Sequence, residues 1–290
     1  MVNRIRGNLW GPKGNLWGPK GNLWGLLEPL EGNFCCPYVV PIQGSNKGTQ
    51  MGHANNIAKK TENNPDKFAK LGQLANAKFS DTTLKNPPSL QALKLQDVLM
   101  KNAGGRICED IWHEIDTATF KHIAGMRNFD RHDVIRLLAE LRQTLIQSEN
   151  LKDGYTALYG LISVAKIDYE NNGQIKYQFD PVFRDIAENS DLYAVLDYRT
   201  SLSLSSKYSH RLYDMIALRA GRTKTNETFT VDDLRAHLGV QAGKLPLWKS
   251  FRVKALETAI AEINQSSRFN VSYRVSKKER RKTTEIELNW

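Results

Sequence analysis

The sequence predicts an α+β chain: two consecutive winged-helix domains behind a largely disordered N-terminal segment. Three observations predict it. The order helix, helix, helix, hairpin occurs twice, over residues 81–199 and again over 200–290. Residues 1–80 are instead rich in Gly, Asn, Pro and Lys and sustain no apolar period, the composition of a low-complexity segment. The 290 residues are 40% hydrophobic and 25% charged, enough apolar mass for one large or two small cores.

The elements follow in order. Asn63-Asn64-Pro65-Asp66 reads as a turn, and a short helix is expected near Lys67–Leu74. Ser89 can cap a helix whose apolar positions are Leu90, Leu93, Val98 and Leu99. Ile107–Ile115 reads as a strand, and Thr117–Ile123 as a short helix with Asp116 as its cap. Met126-Arg127-Asn128-Phe129 breaks it, and Val134, Leu137, Leu138, Leu141 and Leu145 mark an amphipathic helix. Tyr155–Asp168 and Gly173–Phe179 are two β-rich runs joined at Asn171-Asn172-Gly173, a hairpin signal. In the second unit, Ser206–Ala220 is a helix closed by Gly221, and Thr230 caps Val231–Leu238, closed by Gly239. Pro246 opens a long helix to about Asn264. Phe269–Val275 and Thr283–Leu288 alternate as strands around the basic turn Ser276–Lys282.

The formal net charge is +10, which favours an anionic partner. Residues 1–80 carry 10 Lys/Arg against 4 Asp/Glu, residues 81–247 carry 21 against 22, and residues 248–290 carry 10 against 5. A nucleic acid should therefore meet the C-terminal end. No apolar run approaches the ~18–20 residues of a membrane span, and no apolar stretch follows Arg4 and Arg6 as in a signal peptide. Cys35, Cys36 and Cys108 are three thiols without zinc spacing, which points to a reducing, cytoplasmic setting and no structural metal.

In a helix-turn-helix unit the second helix of the pair reads the major groove through its first turns. Here that helix is LPLWKSFRVKALETAIAEIN. At 100° per residue Trp248, Ala255, Leu256, Ala259, Ile260 and Ile263 share the core arc, and Ser250, Lys254 and Glu257 lie opposite. Lys249 and Arg252 lie near the apolar arc but in the first two turns, where a recognition helix projects beyond its core. Lys249, Ser250, Arg252 and Lys254 are therefore DNA-facing candidates, Arg being the side chain best shaped for guanine. The competing reading is ordinary solvated helix cations. Lys277, Lys278, Arg280, Arg281 and Lys282 place five cations in six residues on the turn between strands, suited to phosphate contact. The competing reading there is a charged hairpin that protects a sheet edge.

Catalytic chemistry finds no constellation. His53, His113, His122, His132, His210 and His237 form no His-x-His pair for metal-assisted strand nicking. Gly239-Val240-Gln241-Ala242-Gly243-Lys244 has three residues between its glycines where a phosphate loop has four, and Leu245 follows instead of Ser or Thr. Asp130, Asp133, Asp232 and Asp233 suit helix N-termini. No catalytic residue, cofactor or metal is expected.

Two stretches, SLSLSSKYSHRLYDMIALRAG and FRVKALETAIAEINQSSRFNVSYRVSKKERRKTTEIEL, resemble the iteron-binding replication initiator (Rep) proteins of theta-replicating plasmids. Ser206-Lys207-Tyr208 and Arg211-Leu212-Tyr213 match the family's first pattern. Phe251-Arg252, Leu256, Glu262-Ile263-Asn264 and the basic strand–turn–strand from Ser272-Tyr273 through Arg281 match its second. The likeness is close over about 200–290, rests on element order over 88–199, and does not reach 1–80. One departure is the turn Lys278-Glu279-Arg280, where members often have Gly. The resemblance implies a non-enzymatic initiator that binds direct repeats of double-stranded origin DNA as a monomer. It also implies a homodimer that binds an inverted repeat and represses its own gene, and recruitment of host helicase when the origin opens. By the same resemblance the C-terminal unit contacts bases through Lys249, Arg252 and Lys254, with the wing at Lys277–Lys282. The N-terminal unit contacts the backbone and carries dimer contacts. The alternative is a winged-helix transcriptional repressor without a replication role.

One motif stands apart. GNLWGPK fills residues 7–13, recurs unchanged at 14–20, and begins again at 21–25. Each unit holds Gly and Pro, builds no helical apolar stripe, and is far shorter than the ~20-residue minimum of a solenoid unit. Two readings remain open: an arm of Trp10, Trp17 and Trp24, or a repeat that matters as DNA.

Overall fold

The N-terminal segment is not idle up to residue 80. In the computed structural model, which describes residues 61, 64–78, 87–123, 128, 130–150, 155–168 and 173–290, Lys67–Leu71 forms strand β1 and Gly72–Ala75 a single helical turn, α1. The expected short helix over Lys67–Leu74 is thus corrected to a strand and one turn. Phe68 and Lys70 are buried and alternate with half-buried Lys67 and Ala69, the period of two that extended backbone supplies. The GNLWGPK repeats, Cys35 and Cys36, Met126-Arg127 and Asn171-Asn172 lie outside the described residues.

The first winged unit follows. Ser89 caps α2 (Leu90–Ala103) by accepting the Ala92 N–H at 3.2 Å, and the helix buries Leu93, Leu95, Val98, Leu99 and Met100. Ile107–Ile115 is not one strand. The chain leaves α2 through a 3-10 turn at Gly104–Arg106, Ile107 turns into the core, and only His113–Asp116 extends as β2. Thr117–Ile123 (α3) and Arg131–Gln143 (α4) follow, the latter opened by reciprocal hydrogen bonds between Asp130 and Asp133. Val134, Leu137, Leu138 and Leu141 are buried as their spacing requires, whereas Leu145 lies past the helix end and is exposed.

Tyr155–Asp168 also divides. Tyr155–Tyr159 (β4) pairs back onto Ile146–Asn150 (β3), a strand the sequence did not announce, while Ile162–Ile167 (β5) pairs with Gln174–Phe179 (β6). β6 is the central strand of the sheet β2-β6-β5. Tyr177 on β6 bolts the sheet to α2, its hydroxyl donating to the Leu99 carbonyl at 2.7 Å. Pro181–Glu188 (α5), Tyr193–Asp197 (β7) and Tyr198–Ser203 (α6) lead out of the unit, and β7 pairs antiparallel with β1. Gly72 lies where β1 hands over to α1: a Cβ there would sit 2.8 Å from the Leu192 carbonyl oxygen, so only glycine fits.

The second unit runs Lys207–Arg219 (α7), Asn226–Thr230 (β8), Val231–His237 (α8), Trp248–Phe251 (α9), a π-helical stretch Arg252–Glu257, Thr258–Ser266 (α10), then Ser272–Glu279 (β9) and Lys282–Asn289 (β10). Strand β8 completes a sheet ordered β8-β10-β9, with Ile286 opposite both Phe229 and Val275.

The two units share a buried polar core. The Lys70 ammonium lies 2.7 Å from Asp97 of α2 and 2.8 Å from Asp214 of α7, all three fully enclosed. Burial alone would lower the Lys70 pKa, but Asp214 and Asp97 outweigh it and the net shift is upward. Burial would likewise raise Asp97; Lys70 first and His210 next hold it well below the ordinary carboxylate range instead. Asp97 also accepts from His210 Nε2 at 2.8 Å and from the Ser201 hydroxyl. Arg211 of α7 reaches the Leu74, Ala77 and His237 carbonyls at 2.9, 2.7 and 3.2 Å, tying α1 and α8 to one helix.

Lys70→Ala should leave two carboxylates buried without their ammonium and lower stability by about 3–5 kcal/mol, read as the urea midpoint. Burial first, then Arg106, pushes His113 down to about 4, and burial with Arg211 pushes His237 down to about 3. A histidine with a lowered folded pKa binds more protons when unfolded, so stability should fall as pH drops from about 6.5 toward 4. Urea titrations across that range check it, and a flat midpoint contradicts the buried-neutral assignment.

Candidate nucleic-acid interface

The long helix of the second unit does not begin at Pro246. Pro246 and Leu247 belong to a loop in which Gly239, Gly243 and Leu245 all have positive φ. Arg235 of α8 holds that loop, donating to the Leu245 carbonyl at 2.6 Å and the Pro246 carbonyl at 3.3 Å, with its guanidinium 4.5 Å from the Phe251 ring centre. The glycine run that superficially resembled a phosphate loop is a helix–helix connection, as its spacing implied.

Past this loop the helix widens. Arg252–Glu257 is π-helical, and just past it the Thr258 hydroxyl donates to the Val253 carbonyl five residues back at 2.9 Å. Extra residues per turn rotate the following side chains relative to a uniform 100° wheel. Phe251, Ala255, Leu256, Ala259 and Ile263 are buried, whereas Trp248 and Ile260 only pack against the core from its margin. Lys249 and Lys254 are exposed as anticipated. Arg252 is half-buried, its Nε 3.4 Å from Glu257 Oε1, and Glu257 in turn accepts the Tyr273 hydroxyl at 2.8 Å. A carboxylate thus braces the arginine from behind. The Ser250 hydroxyl donates to the Leu247 carbonyl at 2.8 Å, so its proton is committed to its own helix turn. Sequence reasoning missed Leu247 and Val253, apolar side chains exposed at this same end; a regular wheel has no place for a π-helical turn.

The wing is tighter than the seven-residue turn expected. Strands β9 and β10 extend until Glu279 pairs with Lys282, leaving a two-residue tip of Arg280 at φ 44° and Arg281 at φ 71°. Two left-handed residues match the twist of a hairpin, but Asn and Gly adopt that conformation at far lower cost than Arg. Lys278, Arg280, Arg281 and Lys282 are exposed and have no ion-pair partner among the described residues. Lys277 differs: Glu279 at 3.0 Å and Glu285 at 3.7 Å engage its ammonium. Behind the tip, Arg274 donates twice to Glu287 directly across the ladder, at 3.1 and 2.9 Å.

In the first unit several of the described helix and hairpin cations are engaged. Arg136 of α4 pairs with Asp133 at 2.8 Å, and on the β5–β6 hairpin Lys166 stacks over Trp112 and Lys176 pairs with Glu114 at 2.7 Å. Elsewhere Ser201, His210 and Asp97 have the residue types of a hydrolytic triad. All three are fully buried and the serine donates to the carboxylate, so they offer no nucleophile to a substrate. Asp97, His210 and Asp214 also converge as metal ligands would, but the Lys70 ammonium already bridges both carboxylates.

Replacing Arg280-Arg281 by Asn-Gly should relieve the left-handed tip and raise stability by about 1–2 kcal/mol. Urea unfolding of the double variant checks this; a loss of stability would mean that the arginines hold the turn.

The family and structural comparisons agree with this geometry. Residues 74–217 match the family model described as initiator replication protein, WH1, and residues 230–290 match that of initiator Rep protein, WH2. No curated protein sequence matches the chain at a significant level. Among solved structures it is similar to the Pi initiator protein in complex with iteron DNA, at 19% identity and a TM-score of 0.55, covering 78% of this chain and 97% of that one. It is more distantly similar to domains 2–3 of RctB, at 10% identity and a TM-score of 0.42, covering 69% and 80%. Two winged helices joined through one buried core, with matches that together span most of the described residues, place this chain in the initiator replication (Rep) protein family.

Proposed function

We propose that this protein initiates plasmid replication by binding iterons, direct repeats of double-stranded DNA at the origin. The single observation that carries the reading is the pairing of two elements in the second unit. A helix start presents Lys249, Arg252 and Lys254, and a wing carries Lys278, Arg280, Arg281 and Lys282 free of acidic partners among the described residues. The similarity to an initiator bound to iteron DNA supports it. In this reading Arg252, braced by Glu257, reads a base edge, since a guanidinium held at one angle matches guanine O6 and N7. The wing supplies phosphate contacts, which add affinity and salt dependence without choosing sequence. Ser250 and Lys277 contribute less, because their polar atoms are already engaged.

The same proposal includes a homodimer that represses its own gene, action in the cytoplasm, and engagement of host helicase at the opened origin. Strand β4 supports the dimer: Tyr155 and Leu158 are exposed at 78% and 59%, and the β3–β4 ribbon has no third strand among the described residues.

Arg252→Ala should cost about 1–3 kcal/mol on the specific repeat and relax discrimination at one or two base pairs. Arg280→Ala with Arg281→Ala should weaken binding to every duplex and lower the salt slope by about 2. Titrations of repeat and random duplex at several salt concentrations decide both; equal losses on the two duplexes for Arg252→Ala would remove its base-reading role. Leu158→Glu should shift sedimentation of the full chain toward monomer, and an unchanged distribution would move the interface away from β4.

A further inference from the structure

The two winged units are not beads on a linker. Lys70, Asp97, His210, Asp214 and Arg211 bind β1, α2 and α7 into one buried core, so the two DNA-facing elements are held at a fixed separation. DNA-binding units that engage one face of a duplex do so one helical turn apart, about 10–10.5 base pairs, or at multiples of it. A rigid pair therefore suits a repeat of about two turns, roughly 21 base pairs. The GNLWGPK heptad is seven codons, which is 21 base pairs.

The repeat is exact at the amino-acid level over residues 7–25, and nothing in its composition asks for a protein period of seven. Its codons say more. For Gly-Asn-Leu-Trp-Gly-Pro-Lys the genetic code fixes fourteen of the 21 base pairs whatever the codon usage. The Trp codon followed by the Gly codon fixes a thymine and then four consecutive guanines in every copy: Trp10-Gly11, Trp17-Gly18 and Trp24-Gly25. Guanine is the base that Arg and Lys side chains read best in the major groove. Those are the side chains that the start of the long helix presents.

We propose that the DNA encoding residues 7–25 is itself a row of binding sites for this protein. It comprises two complete 21-base-pair direct repeats and the first part of a third. Each complete copy takes one molecule, and the guanine run lies under Lys249 and Arg252. Successive copies present the same face because their spacing is two turns. The inference rests on the reading above that the chain binds repeated DNA, and it adds where that DNA lies and which bases carry the contact.

The test uses the full chain and three duplexes: the gene's own codons for residues 7–25, the same duplex with the four guanines of each run exchanged for adenines, and random sequence of equal length. The gene's duplex should bind at least ~100-fold more tightly than random, and the exchanged duplex should lose most of that advantage. A chain with Trp10→Ala, Trp17→Ala and Trp24→Ala should bind the gene's duplex unchanged. Loss of binding by that variant would overturn the inference in favour of a tryptophan arm acting as peptide. Binding of the gene's duplex no better than random would also overturn it. Selection from a random-sequence pool then separates the two levels. Enrichment of an unrelated repeat keeps the DNA-binding reading and removes only this one, whereas no enrichment removes both.

Discussion

A lysine ammonium between two carboxylates organises this molecule. Lys70 comes from β1, Asp97 from the first long helix of the first unit, and Asp214 from the first helix of the second. None of the three has access to water, so each charge depends on the others for its solvation. Such a cluster adds little to stability relative to an apolar core of the same shape. It specifies geometry, because any rearrangement strands a charge in a medium where that is costly. Arg211 extends the effect by holding carbonyls of α1 and α8 at once. Two winged helices of separate topology thereby share one buried core.

The chain's positive charge divides by burial into two populations. Lys70, Arg211 and Arg219 lie inside and answer to acids or carbonyls; Arg219, for example, joins Glu227 at 2.8 Å and the Asn76 side chain at 2.9 Å. Arg235 spends its donors on the loop ahead of the long helix. Arg274 is matched by Glu287. On the long helix and the wing, what remains outward is a smaller set: Lys249 and Lys254 on the helix, and Lys278, Arg280, Arg281 and Lys282 on the wing. A count of cations over residues 248–290 overstates the charge available to DNA, and only the contacts show by how much.

Local backbone cost gathers where the second unit faces outward. The long helix departs from α geometry at Arg252–Glu257, and the hairpin tip sets two arginines at positive φ. Both features sit among the exposed cations and away from the enclosed network. Distortions of this kind persist when the surrounding structure over-determines them. Here Phe251, Ala255 and Leu256 anchor the inner side of the helix, and the register of β9 on β10 closes the turn.

The sequence by itself determined the fold class and the main helices, while β1, β3, β7 and β8 went unannounced. Apolar spacing located α2, α4 and α7 and the second hairpin, and Ser89, Asp130, Ser206 and Thr230 cap helices as their residue types imply. Local signals of that kind need only a few neighbours along the chain. The basic helix start and basic wing were legible for the same reason. Tertiary structure decided what depends on distant partners. It drew Lys67–Leu71 into a strand because β7 offered a distant edge, pairing Lys67 with Asp197 in a register that no local pattern encodes. It split Tyr155–Asp168 because β4 and β5 found different partners, and it ended the strand reading of Ile107–Ile115 by turning Ile107 inward. It also separated Arg252, paired with a Glu257 that Tyr273 holds, from Ser250, bonded to its own helix, although both lie in one short run of sequence. A hydrogen-bond partner far away in the chain, or a π-helical turn that shifts the facing of side chains, leaves no periodic trace, so these assignments exist only in the folded protein.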